Sequence, residues 1–248
     1  MAVPMAIPEQ FRVDADYANP VKSMGHTPKW FCPQCGKWER LQSRRALAPL
    51  AKKHGYAWAK IPDDGDCFYG SIVRALPPDR VATVERLRAV VAAAFGPDQL
   101  ECYRLLASVA DEADADGDEA TAAEYDWARG VRDAGALESL PRVRAYIQRT
   151  GAANAGDCVW ADQHAIATVG DWLGATILFV DMDRAPDVSP YRCLHMSRGD
   201  GRGDDDGYVV LRRQRDHYQP LVERTSGRGF WPTTEALPPV VRALWNLR

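Results

Sequence analysis

Cys67 follows Pro62-Asp63-Asp64-Gly65-Asp66 and opens the run CFYGSIVRAL, in which Phe68, Ile72 and Leu76 fall at i, i+4 and i+8. That spacing predicts a helix with one apolar face. The residues before it favour tight turns and helix N-caps. The attacking species of a cysteine hydrolase is the thiolate, and an ordinary thiol with a pKa of about 8.5 is mostly protonated at neutral pH. A helix N-terminus and a neighbouring imidazole both favour the thiolate, so Cys67 meets the first requirement of a nucleophile. The turn also leaves several backbone N–H groups aimed at one spot, as an oxyanion requires. Gly65 permits a backbone angle that is costly for other residues. A structural cysteine at the start of a helix has the same local pattern, so the reading needs a base elsewhere in the chain.

Other residues with chemical potential lack complete sets. Cys32 and Cys35 in FCPQCGKW form a knuckle of the kind zinc uses. A structural zinc takes four ligands, and no second CxxC or HxxxH follows. His26 and His54 stand nearest without typical spacing, so no metal and no cofactor is assigned. The acidic stretch DEADADGDEATAAE at 111–124 places Asp114, Asp116 and Gly117 on EF-hand-like positions, but Ala123 stands where the closing acid belongs. It is read as a solvated acidic linker. Cys102, Cys158 and Cys193 carry no motif and are read as packing residues or free thiols. His164 is read as a helix residue, and His195 alternates with Cys193 on a strand.

The elements that must position Cys67 follow from periodicity and punctuation. Helices are expected over 41–53, from Cys67, over 81–95, 98–113, 119–134 and 140–150, and over 161–173, where Gly174 stops the run. Residues 151–157, GAANAGD, form a loop. Strands are expected over 56–61, 176–180, 191–196 and 208–212, with 217–222 close behind. Between them SRGDGRGDDDG, at 197–207, is a solvated loop. Helices first and strands later predict an α+β fold with helices around a small, mostly antiparallel sheet. The expected division is an irregular segment with the CxxC knuckle (1–40), a central domain (41–225), and a C-terminal extension with a short helix, PPVVRALWNLR (226–248).

Composition bounds the function class. The 248 residues are 46% hydrophobic and 26% charged, with six cysteines and a net charge of −3. That is ordinary globular composition, too poor in cysteine for a disulfide scaffold. The acidic balance argues against binding to nucleic acid or an anionic membrane. No apolar run reaches the ~18 residues of a membrane span, and MAVPMAIPEQ lacks the pattern of a secretory leader. The expectation is a cytoplasmic protein, monomeric, without nucleic-acid or membrane partners.

The segment Ile61 to Ile72, IPDDGDCFYGSI, resembles the nucleophile box of the ovarian tumour (OTU) family of cysteine proteases, usually written D-G-N-C-L-F-R-A. Two further blocks follow in the family's order. Val159-Trp160-Ala161-Asp162 through Leu173-Gly174-Ala175-Thr176-Ile177 is similar to its W-G block. Asp216-His217-Tyr218-Gln219-Pro220-Leu221-Val222 is similar to its terminal H-Y box. The resemblance implies a papain-like fold and a deubiquitinase acting at the C-terminal glycine of ubiquitin. Cys67 would form a thioester, and His217 would take the thiol proton and pass it to the leaving amine. Asp64 matches the acid three residues before the nucleophile and would hold its loop, with Gly65, Asp66 and Trp160 flanking the substrate.

The sequence departs from the pattern at three places. Gln219 stands where Asn or Asp orients the histidine. Asp66 replaces asparagine and would raise the thiol pKa unless its side chain points away. Ala161 replaces the glycine after Trp160. The implied partner is ubiquitin or polyubiquitin, in host cytosol if the protein is viral or a pathogen effector. Two alternatives stay open: a catalytically impaired ubiquitin-binding module of the same fold, and a papain-like hydrolase acting on a ubiquitin-like modifier.

Overall fold

Strand β3 (Tyr56–Trp58) leads through an extended segment and the Asp63–Asp66 turn into helix α1 (Cys67–Ala75), and the rest of the chain is built around that junction. The computed structural model describes residues 29–32, 37–40, 55–80, 82–152, 157–181, 194–196, 207–214, 217–239, 241–242 and 247. Before β3 come β1 (Lys29–Cys32) and β2 (Lys37–Arg40), an antiparallel pair on either side of the CxxC. The sequence reading did not anticipate these strands, and Cys35 lies outside the described residues. So do the segment 1–28, the helix expected over 41–53, His26, His54, Cys193 and nearly all of the 197–207 loop.

After α1 come α2 (Val84–Ala94), α3 (Pro97–Asp116), α4 (Glu119–Asp133), a 3-10 turn (Ala136–Glu138), α5 (Leu140–Ile147) and α6 (Gln163–Leu173). Local chemistry sets their ends. Thr83 accepts the N–H of Arg86, Asp118 that of Thr121 and Asp162 that of Ala165, each an N-cap replacing a missing helical partner. Pro97 opens α3 at a position where its missing N–H costs nothing. Gly117 and Gly174 close α3 and α6 in the left-handed conformation. The long α3 and α4 pack against each other, with ion pairs Arg129–Asp114 and Arg132–Asp111 bridging their exposed faces.

The strands β4 (Ala175–Asp181), β5 (Leu194–Met196), β6 (Gly207–Gln214), β7 (His217–Glu223) and β8 (Phe230–Trp231) join β3 in one six-stranded sheet. Its order is β3-β7-β6-β4-β5. The β4–β6 pair is parallel and the others antiparallel, so the sheet is mixed and mostly antiparallel within an α+β fold. Strand β8 pairs with the start of β6, beyond the reach of β7. The sequence places the end of the domain near 225, but β8 carries the sheet past it. Gly229 N donates to the Ala75 carbonyl at the end of α1, and Trp231 is buried. The core lies between the sheet and α1, α2 and α6, with Phe68, Ile72, Leu87, Val91, Val169, Ile177 and Leu211 within it. Among the described residues no helix is long and apolar enough to cross a membrane.

Candidate active site

Cys67 is the first residue of α1 and is buried. Helix α1 packs on β7 through the backbone of Tyr218: Ser71 Oγ donates to the Tyr218 carbonyl at 3.0 Å, while the Tyr218 ring meets Phe68 edge to face. This seats Cys67 against the strand one residue from His217, which opens β7. Asp63, in the turn before Cys67, reaches His217 from the other side, with Oδ1 3.6 Å from Nδ1. That separation exceeds a hydrogen bond, and Nδ1 has no hydrogen-bond partner among the described residues.

Burial pushes the Cys67 thiol up from its ordinary value, and the Asp63 and Asp64 carboxylates push the same way. The backbone N–H groups of Tyr218 and Phe68 pull against them without winning. A thiol so disfavoured as thiolate would act as a nucleophile only with a base to take its proton. Asp66, next to Cys67 in the chain, is itself buried. Its side chain points inward, to a 2.6 Å ion pair with Nε of Arg88, and its other oxygen accepts the Ala152 N–H at 3.2 Å.

The turn itself is fixed from three sides. Asp64 Oδ1 accepts the Asp66 N–H at 3.0 Å, closing a side-chain turn. Gly65 takes φ 85°, the left-handed region that suits glycine. Behind it, a Cβ on Gly151 would stand 1.6 Å from the Asp64 carbonyl oxygen, so only glycine lets the 151–152 backbone lie flush on the turn.

Arg88, on α2, escaped the sequence reading, although it is wholly buried and touches the turn directly. Besides Asp66 it donates Nη1 to the carbonyls of Ile147 at 3.0 Å and Val159 at 3.1 Å. Its Nη2 reaches the Gly65 carbonyl and Cys158 Sγ, both at 3.2 Å. The available signal was Asp66 itself: a buried acid beside a nucleophile needs a cation.

Gln219 does not orient His217 in this structure. Two residues apart on one strand, the two share a face, but the Gln219 amide oxygen accepts from Arg212, its cross-strand register partner, with Nε at 2.8 Å. Trp160 stands half-exposed on the wall of a cleft of about 880 Å³ that also contains Gly65, Cys67 and Tyr218. Helix α4 also lines it, with Trp127 and the acids Glu124 and Asp126. His164 lies in α6 with its ring edge on Phe95 and does not line this cleft. Among the described residues no group of three or more His, Cys, Asp or Glu is placed to hold a metal ion.

No family model matches the sequence, and no curated protein matches it. Solved structures do. An OTU domain in complex with ubiquitin aligns at TM-score 0.43 and 13% identity, over 77% of this chain and 83% of that one. The OTU domain of OTUD1 aligns at 0.43 and 14%, over 73% and 95%. An OTU deubiquitinase from Wolbachia pipientis wMel bound to ubiquitin aligns at 0.39 and 12%, over 69% and 98%. These three solved chains are OTU proteins.

Proposed function

We propose that the protein is an OTU-type thiol hydrolase that cleaves peptide or isopeptide bonds after the C-terminal glycine of ubiquitin. The observation that carries the reading is the seating of Cys67, at a helix N-terminus, against the strand one residue from His217. The three sequence blocks resembling the OTU family support it. In this reading His217 removes the thiol proton as Sγ adds to the scissile carbonyl, and the carbonyl oxygen becomes an oxyanion beside the turn. Collapse expels the amine, which takes its proton from His217 and leaves a thioester on Cys67. A water, deprotonated by His217, hydrolyses it and frees the carboxylate and the thiol. The acids Glu124 and Asp126 on the cleft wall suit an extended basic segment leading to the glycine.

A second reading, an impaired ubiquitin-binding module, draws on two observations. The thiol is raised by burial and two acids, and the Gln219 oxygen is committed to Arg212. A ubiquitin probe with a C-terminal electrophile separates the two. The expected result is a covalent adduct of ubiquitin size, absent in Cys67→Ala and slowed at least about 100-fold in His217→Ala. Tight binding without an adduct favours the impaired module. No binding, with Cys67 still open to a small alkylating reagent, removes ubiquitin as the partner.

A further inference from the structure

We propose that Arg88 is a positioning residue of the active site: its buried guanidinium ties the nucleophile turn to the 157–161 loop, which lines the same cleft, and thereby aims a turn N–H at the reacting carbonyl oxygen. The proposal rests on reading Cys67 as a nucleophile, not on the identity of the substrate.

A guanidinium carries five N–H donors in a fixed plane. All of Arg88's have acceptors: Asp66 Oδ1 from Nε, the Ile147 and Val159 carbonyls from Nη1, and the Gly65 carbonyl and Cys158 Sγ from Nη2. Its Cζ also lies 4.5 Å from the centre of the Tyr69 ring. These acceptors come from three separate segments: the turn, the end of α5, and the 157–161 loop that bears Trp160. One planar group therefore sets the separation of the two lips of the cleft. A pure counter-ion to Asp66 would use one or two donors and leave the others to water. Full use of the fork against backbone carbonyls marks a geometric role.

The consequence for the turn follows from peptide geometry. A trans peptide holds its C=O and N–H on opposite sides, and no peptide among the described residues is cis. The Asp64 carbonyl faces Gly151, so the Gly65 N–H of the same peptide faces away from that packed side. The next peptide gives its oxygen to Arg88 and its N–H, on Asp66, to Asp64 Oδ1. Of these two peptides, the N–H left for an oxyanion is that of Gly65, held by the two carbonyls that are drawn inward around it. Gly65 lines the cleft together with Cys67.

The test uses two reagents on the full chain. A short peptide ending in glycinal forms a hemithioacetal: Sγ bonds to the aldehyde carbon, the thiol proton passes to the new oxygen, and that oxygen occupies the oxyanion position. Iodoacetamide alkylates Sγ, releases iodide and needs no such position. Glycinal protection of Cys67 against alkylation is measured by peptide mass in wild type, Arg88→Lys and Asp66→Asn, all at a temperature where circular dichroism shows the variant folded. The expected result is at least tenfold more glycinal for half-protection in Arg88→Lys, and several-fold more in Asp66→Asn, with alkylation rates without glycinal within about twofold. Equal protection in wild type and both variants overturns the proposal, as does a wild type that glycinal does not protect, or a loss of both reactivities in parallel. Should Arg88→Lys not fold, Asp66→Asn decides by the same criteria. A wild type that is protected by glycinal but does not react with the ubiquitin probe leaves Arg88's role standing and removes only the substrate.

Discussion

Around Cys67 the charges are sorted by distance and by partner. Asp66, adjacent in the chain, is neutralised by Arg88 and faces inward, whereas Asp63 and Asp64 hold the thiol up. Replacing Asp63 by Asn removes a negative charge that disfavours the thiolate, so its pKa falls and the thiolate fraction at neutral pH rises. Iodoacetamide should then modify Cys67 about threefold faster at pH 7, the modest size expected of an exposed charge. A rate unchanged or slower would remove Asp63 as a determinant. The local sequence marks Cys67 as a candidate nucleophile because a turn, a glycine and an apolar helix are adjacent in the chain. Arg88 is 22 residues on from its acid, in a helix whose apolar pattern gives no hint that one arginine turns inward. Gln219 was legible as facing with His217, but its partner was set by strand register, which pairs it with Arg212.

At the scale of elements, the helix interiors and the Gly174 stop were readable, whereas the starts of α2 and α6 were expected at 81 and 161 and fall at Val84 and Gln163. Thr83, Asp118 and Asp162 cap from within four residues of the N–H groups they accept, and Gly117 and Gly174 close helices by their own backbone freedom. Gly151 was read as the start of a loop, of which 153–156 lie outside the described residues, but not as a support for the turn. A Cβ at residue 151 must displace the Asp64 peptide, which is backbone and cannot rotate away. Gly151→Ala should therefore lower kcat about 100-fold through misplacement of the turn and cost about 1–3 kcal/mol of stability through overpacking. Steady-state kinetics and denaturant unfolding measure the two. Wild-type values for both would show that the loop yields and carries no positional load.

At the scale of the whole molecule, the sheet continues into the C-terminal region. Trp231 in β8 is buried beside Tyr56, at a ring separation of 6.5 Å, and Leu237 and Val241 beyond it are buried as well. Trp231→Ala should cost about 3–5 kcal/mol in denaturant unfolding, the range for a large buried aromatic. A cost under about 1 kcal/mol would mean that this region is an appendage to the domain. The amino-acid sequence by itself determined the α+β class, the turn-and-helix at Cys67, the helix caps and the ordered blocks that point to a thiol hydrolase. Each of these rests on interactions within a few residues or on the period of apolar side chains. Tertiary structure alone decided that Asp66 is paired by Arg88, that Gln219 serves Arg212, that Gly151 backs the turn and that β8 completes the sheet. These contacts join residues far apart in the chain, and their partners are chosen by strand register and the packing of α2 and of residues 151–152 and 157–161, for which local sequence holds no signal.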